Sequence, residues 1–408
     1  CFFAWLLMSW PSWCAHLLIA GVAACAAGVV ASGDRRVLRD PIALVSAAAW
    51  ALLFLAMAWA DSSAPPEWRS PPVIRHIALY GLWFTAVRVL PVSRALRGAG
   101  SVLIVASTLF VGQGAISQYF GGLEDMRQYA ARAAGAPDFA SYTNYLLSIS
   151  QDYDTWLRVR KLASTRVFST FVYPNALGGF LIIALPLCIA AYMTYRAVLV
   201  RVLCGLGLCV GSIALLLSRS KASIVLAGTA IMLVFLLARR ARAATARTAL
   251  AVIVCTVLAG AGMLAWGYGT GLATKLESTG GARLDYWRAA AKMIADRPVR
   301  GWGSGGFSRN YPLYRAPDAE PTRLAHNVVL NTWTDYGLFG VLALALALGA
   351  PVFAAWRAAW RMPFNWLTAA CAMAGTFFLC HCLMDFDFRV AGIVLPALFC
   401  LAAARSPE

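Results

Sequence analysis

Apolar stretches of about 17–25 residues recur from one end of the chain to the other, the length a helix needs to cross roughly 30 Å of hydrocarbon. They run approximately over residues 14–31, 41–60, 76–92, 98–116, 171–195, 199–217, 222–238, 249–267, 328–356, 364–384 and 389–404. With 61% hydrophobic and 13% charged residues, the chain lacks the polar surface of a soluble globule, so it is expected to need lipid. Residues 1–13 are apolar but too few to span, and we read them as the remaining half of a truncated first helix; a cleaved signal peptide or a lipidated Cys1 is the alternative. The expected fold is therefore all-α, a polytopic membrane protein of about twelve transmembrane helices.

The net charge of +17 would suggest nucleic acid in a soluble protein. Here the arginines gather in every second connection, as Arg35, Arg36 and Arg39, then Arg88, Arg94 and Arg97, Arg196 and Arg201, Arg239, Arg240, Arg242 and Arg247, and Arg357 and Arg361. Such alternation is an orientation signal, so those loops are expected in the cytoplasm and no nucleic-acid partner is expected. The resulting organisation is 1–116 N-terminal transmembrane helices, 117–170 outer loop, 171–267 central transmembrane helices, 268–327 large and partly helical outer loop with the candidate catalytic residues, and 328–408 C-terminal transmembrane helices. Between 268 and 325 nine bases face five acids. A basic loop on the translocated side runs against the usual bias and points to an anionic ligand there.

Eleven cysteines lie scattered, mostly in apolar segments, and read as buried thiols; Cys380-His381-Cys382 has the wrong helical spacing for a shared metal. Arg219 and Lys221 interrupt an apolar run at Ser218-Arg219-Ser220-Lys221. They are either snorkelling cations of a tight hairpin or fixed positive charges where a lipid-linked phosphate would sit. After Gly280-Gly281, the residues Leu284, Trp287, Ala291 and Ile294 form an apolar stripe at helical period, with Arg283 in the first turn and Asp285, Arg288 and Lys292 on another side. That predicts a helix lying along the membrane surface, whose arginines serve headgroups or a bound anion. Gly301, Gly303 and Gly306 formally spell GxGxxG, but no strand–helix context surrounds them, so we expect a glycine turn that lets backbone approach a sugar or phosphate. His326, Leu330 and Trp333 fall on one helical face, with Gly337 as a left-handed stop, and the His326 ring can take a proton near neutral pH. Asp152-Tyr153-Asp154 and Asp385-Phe386-Asp387 could bridge a metal to a diphosphate, but two acids two apart are common, and no metal or other cofactor is expected.

Together these segments resemble the O-antigen ligase and polymerase superfamily of bacterial glycan-assembly enzymes, most closely an O-antigen ligase. The resemblance runs over roughly 165–345 and more loosely to the C-terminus, through Thr170-Phe171-Val172-Tyr173-Pro174-Asn175, Ser218-Arg219-Ser220, Arg283 with Trp287, Pro298 with Gly301 and Gly303, His326-Asn327, Tyr336-Gly337 and Asp385-Phe386-Asp387. It implies a multi-pass protein of the bacterial inner membrane with a periplasmic active site. There a glycan would pass from undecaprenyl diphosphate to lipid A-core oligosaccharide, by single displacement with inversion and without a metal. In that pattern Arg219 and Arg283 hold the donor diphosphate and His326 acts on the acceptor, with Arg166, Lys221, Trp287, Arg288, Arg300 and Asn327 as further substrate contacts. The alternatives are an O-antigen or exopolysaccharide polymerase and, in another class, a transporter of lipid-linked oligosaccharide.

Overall fold

The computed structural model describes residues 40–62, 71–89, 94–149, 155, 159, 161–171, 173–240, 272–361 and 364–404. The expected spans at 14–31 and 249–267, residues 1–13, the basic positions Arg35, Arg36, Arg39, Arg242 and Arg247, and the Asp152-Tyr153-Asp154 pair lie outside them. In chain order the helices are α1 (Pro41–Ser62), α2 (Pro71–Val89), α3 (Arg94–Ser117), α4 (Leu123–Ala133), α5 (Phe139–Ile149), α6 (Pro174–Thr194), α7 (Val198–Ser218), α8 (Lys221–Arg240), α9 (Leu272–Asp296), α10 (Gly306–Tyr314), α11 (Val328–Ala359), α12 (Trp366–Cys382) and α13 (Ala391–Ala403). No strand occurs among the described residues.

The expectation of about twelve membrane-spanning helices is overturned. Five described helical stretches are long and apolar enough to cross a membrane: Pro41–Ser62, Val102–Ala133, Pro174–Thr194, Val198–Ser218 and Val328–Ala359. α12 has 17 residues and α13 has 13. At about 1.5 Å per residue they reach roughly 26 and 20 Å, short of the ~30 Å of hydrocarbon. α2 carries Arg75, His76 and Arg88, which lower its hydropathy. Hydropathy registers that a segment avoids water; it does not say whether lipid or protein covers it. α12 and α13 are covered mainly by protein, with Ala369–Gly375 and Ala397–Leu398 buried in the shared core.

α6 is the centre of the bundle. Pro174 suits its first turn, and Ala176–Ala191 is buried without a break, so the helix is apolar on every side because every side meets protein. It packs against α12, α7, α3, α8 and α13, while α11 lies along α1.

The segment from α9 to the start of α11 forms a second, smaller core of Tyr286, Ala289, Ala290, Met293, Phe307, Tyr311 and Ala325. The buried stripe of α9 is therefore Tyr286, Ala289, Ala290 and Met293, while Leu284 is 45% exposed and Ala291 is exposed. The helix packs on its own segment, and that rotates it away from the stripe expected for a surface helix. α9 also runs unbroken through Gly280-Gly281, so Arg283 sits well inside it and not among the free N–H groups of a first turn.

This segment docks on α11 backbone to backbone. The N–H groups of Trp302, Gly303 and Leu338 donate to the carbonyls of Thr334, Asp335 and Pro298 at 2.9, 2.8 and 3.0 Å. A Cβ on Gly301, at φ 75°, would stand 2.6 Å from both the Asp335 carbonyl oxygen and the Gly337 nitrogen, and Gly337 itself is left-handed at φ 68°. The glycine turn thus admits the α11 backbone, where the sequence suggested a sugar or phosphate. Asp61, at the end of α1, completes the dock by accepting from the Ser304 N–H at 2.5 Å and its hydroxyl at 2.7 Å.

Candidate functional site

The site is built where α11 begins. Asn327 is the N-cap, its side chain accepting from the Val329 and Leu330 N–H groups at 2.9 and 3.1 Å. The residue before it, His326, is held at φ 51°, off the helix and so not on a stripe with Leu330 and Trp333. The Trp287 indole donates to the Ala325 carbonyl at 3.0 Å, and the Ala325 N–H donates to Asn331 Oδ1 at 3.1 Å, so both backbone groups preceding His326 are fixed. Its ring stacks on Tyr286 at 5.6 Å and meets the edge of Phe386 at 5.1 Å.

Asp385 organises what surrounds that ring. After α12 the N–H groups of Met384 and Asp385 turn back to the His381 carbonyl at 2.8 and 2.9 Å, which points the Asp385 carboxylate into the protein, where it is 1% exposed. One carboxylate oxygen takes His326 Nδ1 at 3.1 Å and the Phe386 N–H at 2.9 Å. The other takes Arg283 Nη2 at 3.3 Å and the Asn175 amide. Burial pushes this carboxyl up, but the hydrogen bond and charge of His326, with His381 and Arg283, outweigh it and hold Asp385 below the usual carboxylate range.

The network continues through Asn175, whose Oδ1 accepts from Arg166 Nη2 at 2.5 Å, to the hairpin between α7 and α8, because Arg166 Nε donates to the Ser218 carbonyl at 2.8 Å. Arg219 follows at φ 52° as the left-handed C-cap of α7 and donates to Thr165 Oγ1 at 3.2 Å. The described structure therefore brings His326 and Arg283 onto one buried carboxylate and Arg166 onto the amide beside it, while Arg219 stands one residue beyond Ser218, with its guanidinium on Thr165. A cavity of about 250 Å³ opens beside His326 and Asp385, lined also by Asn327, Phe386, Tyr80 and Asn331 among others.

The remaining expected contacts fare differently. Trp287 donates its indole N–H to the carbonyl just before His326, and Asn327 uses its Oδ1 on the first N–H groups of α11. Lys221 is the exposed first residue of α8, two positions beyond Arg219. Arg288 pairs with Asp285 at 3.3 Å on an exposed face. Arg300 donates to the Trp59 carbonyl at 3.2 and 3.1 Å and to Ser62 Oγ at 2.7 Å, which pins it to the end of α1 and outside the Asp385 network. In the sequence Asp385 and Asn175 stand out only as members of short motifs, the first as half of an acidic pair. No group of three or more His, Cys, Asp or Glu side chains is placed to hold a metal among the described residues. What this cluster can do chemically is bind an anion on its guanidinium groups while an imidazole, oriented through Nδ1, presents Nε2 to a proton.

Residues 206–345 match the family model described as O-Antigen ligase. The chain is also similar to an uncharacterized protein of Haemophilus influenzae, with 33% identity over 78 residues, which is 18% of this chain and 20% of that protein's length. The matched family region takes in Arg219, Arg283 and His326, while Arg166, Asn175 and Asp385 lie beyond its ends.

Proposed function

We propose, starting from the O-antigen ligase superfamily domain that this chain carries at residues 206–345, that the protein is a membrane glycosyltransferase. In this reading it moves a glycan from undecaprenyl diphosphate to lipid A-core oligosaccharide at the periplasmic face of a bacterial inner membrane. The observation that carries the reading is the sharing of the two Asp385 oxygens between His326 Nδ1, at 3.1 Å, and Arg283 Nη2, at 3.3 Å. An imidazole that gives its Nδ1 proton to a carboxylate keeps a lone pair on Nε2, and the carboxylate stabilises the imidazolium that forms when Nε2 takes a proton.

The step is then a single displacement. The acceptor hydroxyl oxygen bonds to the anomeric carbon, the bond from that carbon to the diphosphate oxygen breaks, and the electron pair leaves with the diphosphate. The hydroxyl proton passes to His326 Nε2. Arg283 and Arg219 offset the charge that grows on the leaving group, a task suited to planar donors that never lose their charge. Attack from the side opposite the diphosphate inverts the anomeric configuration, and no metal is required.

Reconstitution of the full chain with undecaprenyl-diphosphate-linked glycan and lipid A-core oligosaccharide, with and without EDTA, tests the reading. Product is expected in both. His326→Ala is expected to slow transfer by about 10²–10⁴, the usual worth of a positioned proton acceptor, while leaving the protein folded in the membrane. Near-normal turnover by that variant removes the imidazole from the step. Movement of donor across the bilayer with no new glycosidic bond would make the protein a transporter instead.

A further inference from the structure

Behind the Asp385 network runs a line of polar side chains that the proposed step does not use. Ser220 Oγ meets Ser223 Oγ at 2.8 Å, Ser223 Oγ meets His381 Nε2 at 2.8 Å, and His381 Nδ1 meets Asp387 Oδ2 at 2.6 Å. The order Ser, His, Asp is that of an activated nucleophile. Ser223 and His381 are 0% exposed and Asp387 is 1% exposed, so no substrate reaches the hydroxyl and a nucleophilic role has no physical basis.

What the line does is join two turns that are far apart in sequence. At one end the Ser220 N–H donates to Ser218 Oγ at 3.2 Å, and Arg219 sits between those two serines. At the other, His381 holds the second turn twice: its ring bonds Asp387, and its carbonyl accepts the Asp385 N–H at 2.9 Å. α6 crosses the line at its two glycines. A Cβ on Gly178 would stand 2.9 Å from the Cβ atoms of both Ser220 and Ser223, and one on Gly179 would run into the Asp387 carboxylate. Ser223 Oγ bridges Ser220 Oγ and His381 Nε2, so removing it takes a partner from two buried side chains at once.

We propose that Ser220, Ser223, His381 and Asp387 form a buried strut that fixes the Arg219 turn relative to the Asp385 turn, which makes them positioning residues for the site. The functional half of this proposal rests on the reading of Arg219, Arg283 and His326 given above; the mechanical half stands on geometry alone.

Hydrogen exchange on the full chain in detergent micelles tests the mechanical half. Ser223→Ala is expected to speed amide exchange about tenfold, the equivalent of one lost buried hydrogen bond, in residues 383–390 as well as in residues 217–224. Acceleration confined to 217–224, or no acceleration, overturns the strut. Should Ser223→Ala fail to fold, Asp387→Asn carries the same test from the other end, and 217–224 must then respond. A double-mutant cycle tests the functional half: the loss of kcat/KM caused by Ser223→Ala is expected to shrink in an Arg219→Ala background, and equal losses in both backgrounds overturn it. If the wild-type protein makes no product, the transferase reading falls while the exchange experiment still decides the strut.

Discussion

At the residue scale the site depends on one buried carboxylate. A buried anion is tolerable only when its oxygens are filled, and those of Asp385 accept from His326, Phe386, Arg283 and Asn175. Asp385→Asn keeps the volume and removes the charge that orients and stabilises the imidazole. Transfer by this variant is expected to fall about 10²-fold in kcat/KM, at the low end of what proton transfer to a positioned base is worth. Steady-state assay of the reconstituted variant checks this, and an unchanged kcat would detach Asp385 from the step. His326 and Arg283 were legible in the sequence as ionisable residues in an unusual place. Asp385 was legible only as half of a common acidic pair, since nothing local says that an acid will be buried against a histidine 59 positions earlier and an arginine 102 positions earlier.

At the element scale the N-terminus of α11 is the part that aims the site. Asn327 satisfies two of its free N–H groups, and the cap leaves His326 in a left-handed conformation that a non-glycine residue holds only when its surroundings insist. Asn327→Ala is expected to cost about 1 kcal/mol, as lost caps generally do, and Asn327→Ser or Asn327→Asp to recover most of it. Thermal unfolding reads the stability. A fall in transfer that recovers with the replacement caps is the expected sign that the cap also sets the imidazole; a fall that persists would instead give the amide a direct contact with substrate. Gly337 was recognisable as a left-handed position, because its φ of 68° is one that glycine adopts freely; it kinks α11, which resumes beyond it to Ala359. The glycines before α10 were recognisable as a turn but not for what they approach. Their partner is the backbone of α11, some thirty residues on.

At the scale of the whole molecule, a few buried polar clamps hold apolar helices that could otherwise slide on one another. Arg88 ties the start of α1 to the end of α13, with Nε on Asp40 at 2.7 Å and Nη1 on the Ala402 and Ala404 carbonyls at 3.3 Å each. Burial pushes the Asp40 carboxyl up, yet the hydrogen bond and charge of Arg88 and the N–H groups of Ala43 and Ile42 bring it below the ordinary value. A carboxyl depressed in the folded state stabilises above its unfolded value of about 3.9 and loses that contribution as pH falls through its folded value. The gap in Tm between the wild type and Asp40→Asn is therefore expected to be largest near neutral pH and to close on acidification below about pH 4. A gap independent of pH would assign the effect to packing. Sequence alone determined the helical class, the association with membrane and the concentration of basic residues in particular connections, because composition, hydropathy and charge spacing are properties of short stretches. The structure decided how many described helices are long and apolar enough to cross, since an apolar stretch in the sequence does not say where its helix begins and ends. It also decided that Asp385 meets Asn175 across 210 positions. Such a pairing becomes a site only when α6, α9, α11 and α12 are packed together, and no local pattern of residues encodes that packing.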